Sequence, residues 1–227
     1  MHVHLPKPLH GWRELAGEVG IIVLGVLIAL GFEQVAEAVR WRNEIGHFRT
    51  AVDHELGRNL GLYHYIMQQR PCVAQRLSEL EQYLAHARAG KQDQLTRPIG
   101  RPNYYSQYTS VWDNRGAEVT EHLPRDPRIG YGELYDEFRN NDLVRSSERE
   151  VWRQLAQFDE GEPLDHADRM RLRQLLTQGE ALNRATSGNY DYILRLAGPL
   201  HIRAIADANL VHVTDENSFC KSLYAKQ

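Results

Sequence analysis

The chain has 227 residues, of which 42% are hydrophobic and 25% charged, and its formal net charge at pH 7 is −3. A chain of this length can bury a hydrophobic core without the support of metals or disulfides. Neither sign of charge dominates, so the sequence lacks the basic surface that nucleic-acid binding requires. No nucleic-acid partner is therefore expected.

A single hydrophobic segment lies near the N-terminus, at residues 15–32, and reads LAGEVGIIVLGVLIALGF. Glu18 is its only ionisable group, and as a helix the segment spans about 27 Å, close to the thickness of a bilayer's hydrocarbon core. Trp12 and Arg13 precede it, at the position expected for a membrane interface. We therefore predict a transmembrane helix over residues 15–33.

This anchor divides the chain into an N-terminal tail, residues 1–14, the transmembrane helix, and a soluble domain, residues 34–227. A removable signal peptide is the alternative, because the uncharged stretch at residues 19–32 also fits a signal-peptide core. A cleavage-like Ala-Glu-Ala follows it at residues 36–38. Basic residues flank the segment on both sides, so the positive-inside rule does not decide its orientation. We adopt the orientation with the short tail in the cytoplasm.

Small residues recur four apart in this segment, Ala16 with Gly20 and Gly25 with Ala29. Such spacing lets a second helix approach closely and predicts self-association in the membrane, although glycine and alanine are also common in membrane helices. The carboxylate of Glu18 is costly inside hydrocarbon unless it is paired or protonated, or reaches the interface. It is therefore either part of a helix contact or an interfacial anchor.

Amphipathic patterns beyond the anchor predict an all-α domain. Apolar residues at three- and four-residue steps predict one long helix that runs on from the anchor and ends at Pro71. Further helices are predicted at about residues 72–88, within 104–123 before Pro124 and Pro127 break the chain, at 132–140 and 143–158, and from Asp165 until Pro199. No strand pattern appears, and we expect long helices packed antiparallel in a bundle-like domain. Their charged faces are interpreted as solvated surface.

Four aromatic residues cluster after the first proline-rich loop: Tyr104, Tyr105, Tyr108 and Trp112. The cluster is a candidate ligand pocket or partner surface. The alternative is that these rings pack a loop onto the helices.

The two cysteines, Cys72 and Cys220, lie far apart and belong to no CxxC or Cys/His metal-binding spacing. A zinc site or a dithiol redox motif is therefore not expected. Two interpretations remain open. One is a disulfide that ties the C-terminal region to the turn after the first long helix in an oxidising compartment, and the other is two separate thiols packed as small apolar groups.

No catalytic, cofactor or metal motif is complete in the sequence. The segment His54-Glu55-Leu56-Gly57-Arg58 begins like a zinc-protease motif but has Arg58 in place of the second histidine. Gly130-Tyr131-Gly132 begins like a dinucleotide fingerprint but has Tyr135 at the third glycine position and no strand before it. We therefore expect no enzyme activity, no cofactor and no bound metal.

The membrane segment carries a further pattern: Ala16-Gly17-Glu18-Val19, then Leu24-Gly25-Val26-Leu27-Ile28-Ala29-Leu30, then Arg42-Asn43-Glu44. Together with Pro6-Lys7-Pro8-Leu9-His10-Gly11-Trp12, it resembles a large family of bacterial single-pass membrane proteins of unknown function. The resemblance is specific over residues 6–44, and Thr109-Ser110-Val111-Trp112 is loosely similar to the family's soluble part. It implies an uncleaved inner-membrane anchor and a helical domain on the periplasmic side, and it implies no activity.

The leading hypothesis is a membrane-tethered, non-enzymatic interaction module that forms homo-oligomers, with the lipid bilayer and an unknown envelope protein as partners. The alternative is a ligand-sensing periplasmic domain with a pocket near Tyr108 and Trp112. A sensor predicts a deep, partly apolar cavity there, whereas a scaffold predicts a packed interior. An enzyme would need a cleft with convergent acidic or histidine side chains.

Overall fold

The computed structural model describes residues 11–91, 94–159, 163–206 and 218–224. Within this part of the chain the α-helices are α1 (Trp12–Gln68), α2 (Arg70–Arg88), α3 (Ser110–Asp113), α4 (Ala117–His122), α5 (Arg125–Leu155) and α6 (His166–Ala197). Short 3-10 turns lie at Ala156–Phe158 and Ser218–Cys220. The described residues contain no β-strand, so the predicted all-α class is confirmed. Residues 1–10 of the predicted tail lie outside the described residues.

The chain divides into two compact units, Met1–Arg49 and Thr50–Gln227. In the first unit the predicted membrane segment is helical, and none of it is buried. The helix is long and apolar enough to cross a bilayer. A continuous apolar surface of this size normally marks contact with a membrane or another protein.

Pro71 marks the boundary between α1 and α2. A proline inside a helix removes a backbone donor and clashes with the preceding turn. Accordingly, α1 ends at Gln68, and α2 begins at Arg70 with Pro71 as its second residue. The helix α2 ends at Arg88 and is followed by Gly90, whose φ of 72° lies in the left-handed region that favours glycine.

One continuous helix, α5, replaces the two helices predicted at residues 132–140 and 143–158. The expectation that Pro127 breaks the chain is wrong. This proline lies in the first turn of α5, where its missing N–H has no helical acceptor to lose. Farther along, the buried Asn141 side chain donates to the carbonyl of Glu137 at 3.0 Å, so its amide group is used without interrupting the helix.

The helix α6 starts and stops where the sequence predicts. The carboxylate of Asp165 accepts a hydrogen bond from the Asp168 N–H at 2.8 Å, and the Asp168 carboxylate accepts one from the Asp165 N–H at 3.1 Å. This reciprocal capping box satisfies two donors that the first turn leaves open. At the other end, α6 stops at Ala197, two residues before Pro199.

Side-chain contacts within the second unit show the relative directions of its long helices. Glu55 and Arg70, in order along α1 and α2, contact Tyr135 and Glu148, in order along α5. The path from α1 into α2 therefore runs in the same direction as α5.

The helix α6 runs the opposite way. Arg70 contacts Asn183, whereas Leu77, about two turns later in α2, lies against the earlier Gly179. The main hydrophobic cluster fills the space between α2, α5 and α6 and includes Val73, Leu77, Leu80, Val151, Trp152, Leu155, Leu172, Leu175 and Leu176.

Residues 218–224, here called the clasp, are fastened to α2. Cys220 forms a disulfide with Cys72, so the two cysteines left open by the sequence are bonded to each other. Cys72 lies in the first turn of α2 rather than in a turn of the chain. The clasp also carries Phe219 and Leu223, which are buried in the main hydrophobic cluster.

A buried arginine holds the clasp beside the disulfide. Arg76 is 1% exposed, and its guanidinium donates to four backbone carbonyls at 2.7 to 2.9 Å, those of Pro98, Ile99, Phe219 and Lys221. One charged group thus joins the clasp to the loop that follows α2. A buried cation of this kind is tolerated only because its donors are satisfied.

Residues 202–206, here called the strap, lie against α1 at two glycines one helical turn apart. The Ile205 N–H donates to the Gly57 carbonyl at 2.8 Å. A Cβ atom at Gly61 would lie 1.9 Å from the Ile205 carbonyl oxygen, and one at Gly57 would lie 2.8 Å from that of Arg203. Glycine is therefore required at both positions for this close approach.

Candidate functional site

Residues 101–115, here called the docked loop, are held on the second unit's helices by buried polar groups. The carboxylate of Glu55, 5% exposed, accepts hydrogen bonds from the Ser110 hydroxyl at 3.0 Å, the Val111 N–H at 3.0 Å and the Tyr135 hydroxyl at 2.6 Å. A buried carboxylate needs such donors to offset the loss of water. The interpretation of the charged helix faces as solvated surface is therefore wrong at Glu55.

One turn later on α1, Asn59 pairs with the backbone of the docked loop. Its side-chain amide donates to the Tyr108 carbonyl at 2.7 Å and its amide oxygen accepts from the Tyr108 N–H at 2.8 Å. The guanidinium of Arg58 lies 3.8 Å from the centre of the Tyr108 ring. Tyr108 is thus fixed through its backbone, with an arginine over its half-buried ring.

Trp112 packs the docked loop against α5. Its ring stacks on Tyr135 with 5.3 Å between centroids, meets Tyr131 edge-on at 6.1 Å, and is covered by the Arg115 guanidinium at 4.0 Å. Only 4% of Trp112 is exposed. At this residue the contacts match the packing alternative of the sequence analysis.

Tyr104 and Tyr105, the other two members of the predicted cluster, line an open cleft of about 490 Å³. Its lining consists of Arg101, Pro102, Asn103, Tyr104, Tyr105 and Ser106 from the docked loop and Arg149 from α5. The cleft is polar and lies beside Tyr104 and Tyr105 rather than beside Tyr108 and Trp112. The structure thus divides the predicted cluster into two cleft-lining rings and two that are held by α1 and α5.

A buried ion pair connects the helices beneath this part of the docked loop. The Arg70 guanidinium donates to the Glu148 carboxylate at 2.7 Å, and both side chains are almost fully buried. Arg145, also buried, donates to the Tyr105 carbonyl at 2.9 Å. Burial lowers the pKa of the Arg145 guanidinium, and the neighbouring Tyr63, Asp142 and Glu148 partly oppose this shift.

Three tyrosines of the site, Tyr104, Tyr105 and Tyr135, have a raised pKa. Burial is the main cause that raises the pKa of the Tyr104 and Tyr135 hydroxyls, with Glu148 adding to the shift at Tyr104 and Glu55 at Tyr135. Burial and a hydrogen bond with Tyr65 raise the pKa of Tyr105 to about 12. A phenol with so high a pKa donates hydrogen bonds at neutral pH and is a poor general base.

The groups that line the cleft are donors of hydrogen bonds and of positive charge. The cleft is lined by guanidinium, amide, hydroxyl and aromatic groups, and its lining includes no histidine, aspartate or glutamate. Among the described residues, no three His, Cys, Asp or Glu side chains are grouped so as to hold a metal ion. What the site can do chemically is to donate hydrogen bonds and positive charge to a ligand.

The membrane-helix residues singled out by the sequence are all exposed in the structure. A regular helix turns by about 100° per residue, so Gly25 and Ala29 each project within about 20° of Glu18, on either side of it. Ala16 and Gly20 project about 160° away from Glu18, on the opposite side. The two pairs of small residues therefore cannot form a single contact face, and Glu18 shares its face with only one of them.

Sequence reasoning missed several residues that hold the site together: Asn59, Gly61, Arg70, Arg76, Arg145 and Glu148. Some carried a local signal. Arg76, for example, lies three residues after Val73 and four before Leu80, which places it on the apolar face of α2. Arg145 and Glu148 carried none, because their partners come from loops and helices distant in the sequence.

Comparison with family models, with curated proteins and with solved structures gave no significant match. The resemblance of residues 6–44 to a family of bacterial membrane proteins therefore stays a prediction.

Proposed function

We propose that this protein is a membrane-tethered, non-enzymatic interaction module on the periplasmic side of the bacterial inner membrane, and that it forms homo-oligomers. The observation that carries the proposal is an apolar helix, residues 15–32, with every described side chain exposed. The second unit has a separate buried core of its own. Tethering raises the effective concentration of such a domain for envelope partners near the bilayer.

The disulfide supports the periplasmic placement. Disulfides persist in oxidising compartments and are rare in the cytosol. The bond between Cys72 and Cys220 closes a sequence separation of 148 residues. A domain that relies on such a bond fits the periplasm better than the cytoplasm.

The helix geometry supports one particular association face. Glu18, Gly25 and Ala29 lie on the same side, and small residues there allow close approach of a second copy. Within such a contact the Glu18 carboxyl can share hydrogen bonds with its counterpart instead of facing lipid. The face of Ala16 and Gly20 then contacts lipid.

Thiol labelling tests the topology. Ser147 is exposed on α5, so Ser147→Cys in the full-length Cys72→Ser/Cys220→Ser chain gives one accessible reporter thiol. We expect a membrane-impermeant maleimide to label it in intact spheroplasts. Labelling only after lysis places the domain in the cytoplasm and overturns the proposal. In the native chain, labelling only after reduction reports the disulfide separately from the topology.

Mass measurement in mild detergent tests the oligomer. Light scattering with the detergent contribution subtracted is expected to give a multiple of the chain mass for the native protein and a lower mass for Gly25→Leu. Gly20→Leu, on the opposite face, is the matched control and should leave the oligomer intact. A monomeric native protein, or dissociation by Gly20→Leu alone, contradicts the proposed face.

A further inference from the structure

The cleft beside Tyr105 has the dimensions of a small-molecule site. Its volume of about 490 Å³ falls within the range of about 300–1,000 Å³ typical of ligand pockets. The continuous segment 101–106 forms its wall, and Arg149 of α5 supplies the remaining lining residue. The site therefore exists only in the folded domain.

The wall of the cleft is fixed in place before any ligand arrives. The Asn103 N–H donates to the Gln69 side-chain oxygen at 3.0 Å, and the Arg145 guanidinium donates to the Tyr105 carbonyl at 2.9 Å. The Tyr105 ring also meets the Tyr65 ring edge-on at 5.3 Å. A pre-organised wall lowers the entropy that a ligand loses on binding.

The electrostatic balance around the cleft favours an anion. Arg101 and Arg149 line it, and Arg70 and Arg145 lie close enough to Tyr104 to influence its ionisation. Among the described residues, the carboxylates of Glu148 and Asp142 oppose these four guanidinium groups. Glu148 is paired with Arg70, and Asp142 interacts with Arg145 and Arg149. The net charge of these groups is positive, and Arg101 and Arg149 are exposed, so a ligand can reach them.

The donors at the cleft suit oxygen-bearing anions. The Arg149 guanidinium lies 4.9 Å from the centre of the Tyr104 ring, a contact that positions the group without using its N–H donors. Guanidinium donors match carboxylate and phosphate oxygens in a planar, bidentate geometry. Asn103 and Ser106 add neutral donors to the lining.

The polar interior next to the cleft contains hydrogen-bonding atoms that are not used within the described residues. The Tyr104 hydroxyl, the Gln69 side-chain nitrogen and one oxygen of Glu148 are buried without a hydrogen-bond partner among the described residues. Buried polar atoms without partners are rare in folded proteins and concentrate at functional positions. Tyr104 lines the cleft, Gln69 holds the wall through the Asn103 N–H, and Glu148 is paired with Arg70.

We propose that this cleft binds a small soluble organic anion carrying two or more carboxylate or phosphate groups, with Arg101 and Arg149 as the principal contacts. This site goes beyond the proposed interaction function and does not depend on the membrane topology. It also differs in place from the pocket that the sequence suggested near Tyr108 and Trp112.

Isothermal titration of the full-length protein in detergent tests the proposal. The probes are citrate and inorganic pyrophosphate, each compared with sodium chloride at matched ionic strength. We expect saturable binding of at least one probe and none of chloride. Citrate alone identifies carboxylate as the recognised group, and pyrophosphate alone identifies phosphate.

Matched variants assign the binding to the cleft. Arg149→Gln and Arg101→Gln should each lower the affinity for the probe at least tenfold, because each removes a principal contact. Both side chains are exposed, so their loss leaves the core intact. Arg173→Gln, an exposed arginine of α6 outside the cleft, should leave the affinity unchanged. Absence of saturable binding, or equal weakening by all three variants, overturns the proposal. Unfolding midpoints of the variants, measured alongside, verify that each remains folded.

Discussion

Arg76 and Phe219 are joined by a hydrogen bond of 2.7 Å between the guanidinium and the backbone carbonyl, across 143 residues of sequence. The guanidinium also lies 5.2 Å from the centre of the Phe219 ring. The same guanidinium also donates to the carbonyls of Lys221 in the clasp and of Pro98 and Ile99 in the loop after α2. A single side chain thus keeps two distant segments in register with α2.

Replacement of Arg76 by methionine is expected to destabilise the second unit by about 3–5 kcal/mol, because four buried carbonyls lose their donor. The measurement is denaturant unfolding of the full-length protein in detergent, followed by tryptophan fluorescence. Trp152 packs edge-on against Phe219, so its fluorescence should report the unfolding of this region. Arg173→Met, at an exposed position, is the control and should change stability by less than about 0.5 kcal/mol. Equal effects of the two variants contradict the role assigned to Arg76.

Loss of the disulfide is expected to lower stability by about 2–5 kcal/mol, since the bond closes a long loop and restricts the unfolded chain. Thermal unfolding with and without reductant measures the effect. The Cys72→Ser/Cys220→Ser protein should unfold at the temperature of the reduced native protein and should not respond to reductant. A native protein indifferent to reduction shows that the bond contributes nothing.

Gly61→Ala is expected to displace the strap, because its Cβ would lie 1.9 Å from the Ile205 carbonyl oxygen. The cost should be about 1–3 kcal/mol, as for other overpacked positions. Hydrogen exchange of the Ile205 amide, which donates to Gly57 in the native protein, should accelerate. Gly188→Ala is the control, since a Cβ there meets nothing within 4 Å, and it should be neutral or stabilise by up to about 1 kcal/mol. An unchanged exchange rate of the Ile205 amide in Gly61→Ala would rule out the close approach of the strap to Gly61.

Acid should loosen the clasp through Glu79. Burial opposes ionisation of this carboxyl, but hydrogen bonds from Gln75, the Leu223 N–H and Ser222, together with Arg76, outweigh it and hold the pKa of Glu79 below its usual value. A lowered folded pKa adds stability above the unfolded value of about 4.3, and this stability is lost as the pH falls through the folded pKa.

Thermal unfolding compared at pH 6 and pH 3 measures this dependence. The native protein should lose more stability on acidification than Glu79→Gln, in which the titrating group is absent. Identical losses in the two proteins would show that the clasp is insensitive to the ionisation of Glu79.

Local signals in the sequence are sufficient to place several helix ends. Asp165, Gly90 and Pro199 act through backbone geometry within a few residues, and the helices begin or end beside them. Pro127 misleads because the effect of a proline depends on its position relative to a helix start that the sequence does not specify.

The candidate site is harder to predict, because its parts are joined by tertiary contacts. Arg149 and the wall at Tyr104 are 45 positions apart, and neither resembles a site alone. Glu55 carries a hint in its position three residues after the fully buried Val52, but its donors come from the docked loop and α5. Periodicity identifies which face of a helix is buried, and it does not identify which distant polar group meets it.

The bond between Cys72 and Cys220 can form only late in the synthesis of the residues described here. Cys220 is made after α1 to α6, so the clasp can close only when these six helices have already been synthesised. Until then Cys72, in the first turn of α2, lacks its disulfide partner, and Arg76 lacks the two carbonyl groups that Phe219 and Lys221 supply. The covalent link between α2 and the clasp therefore forms only after α1 to α6 have been made, and a chain released before residue 220 lacks it.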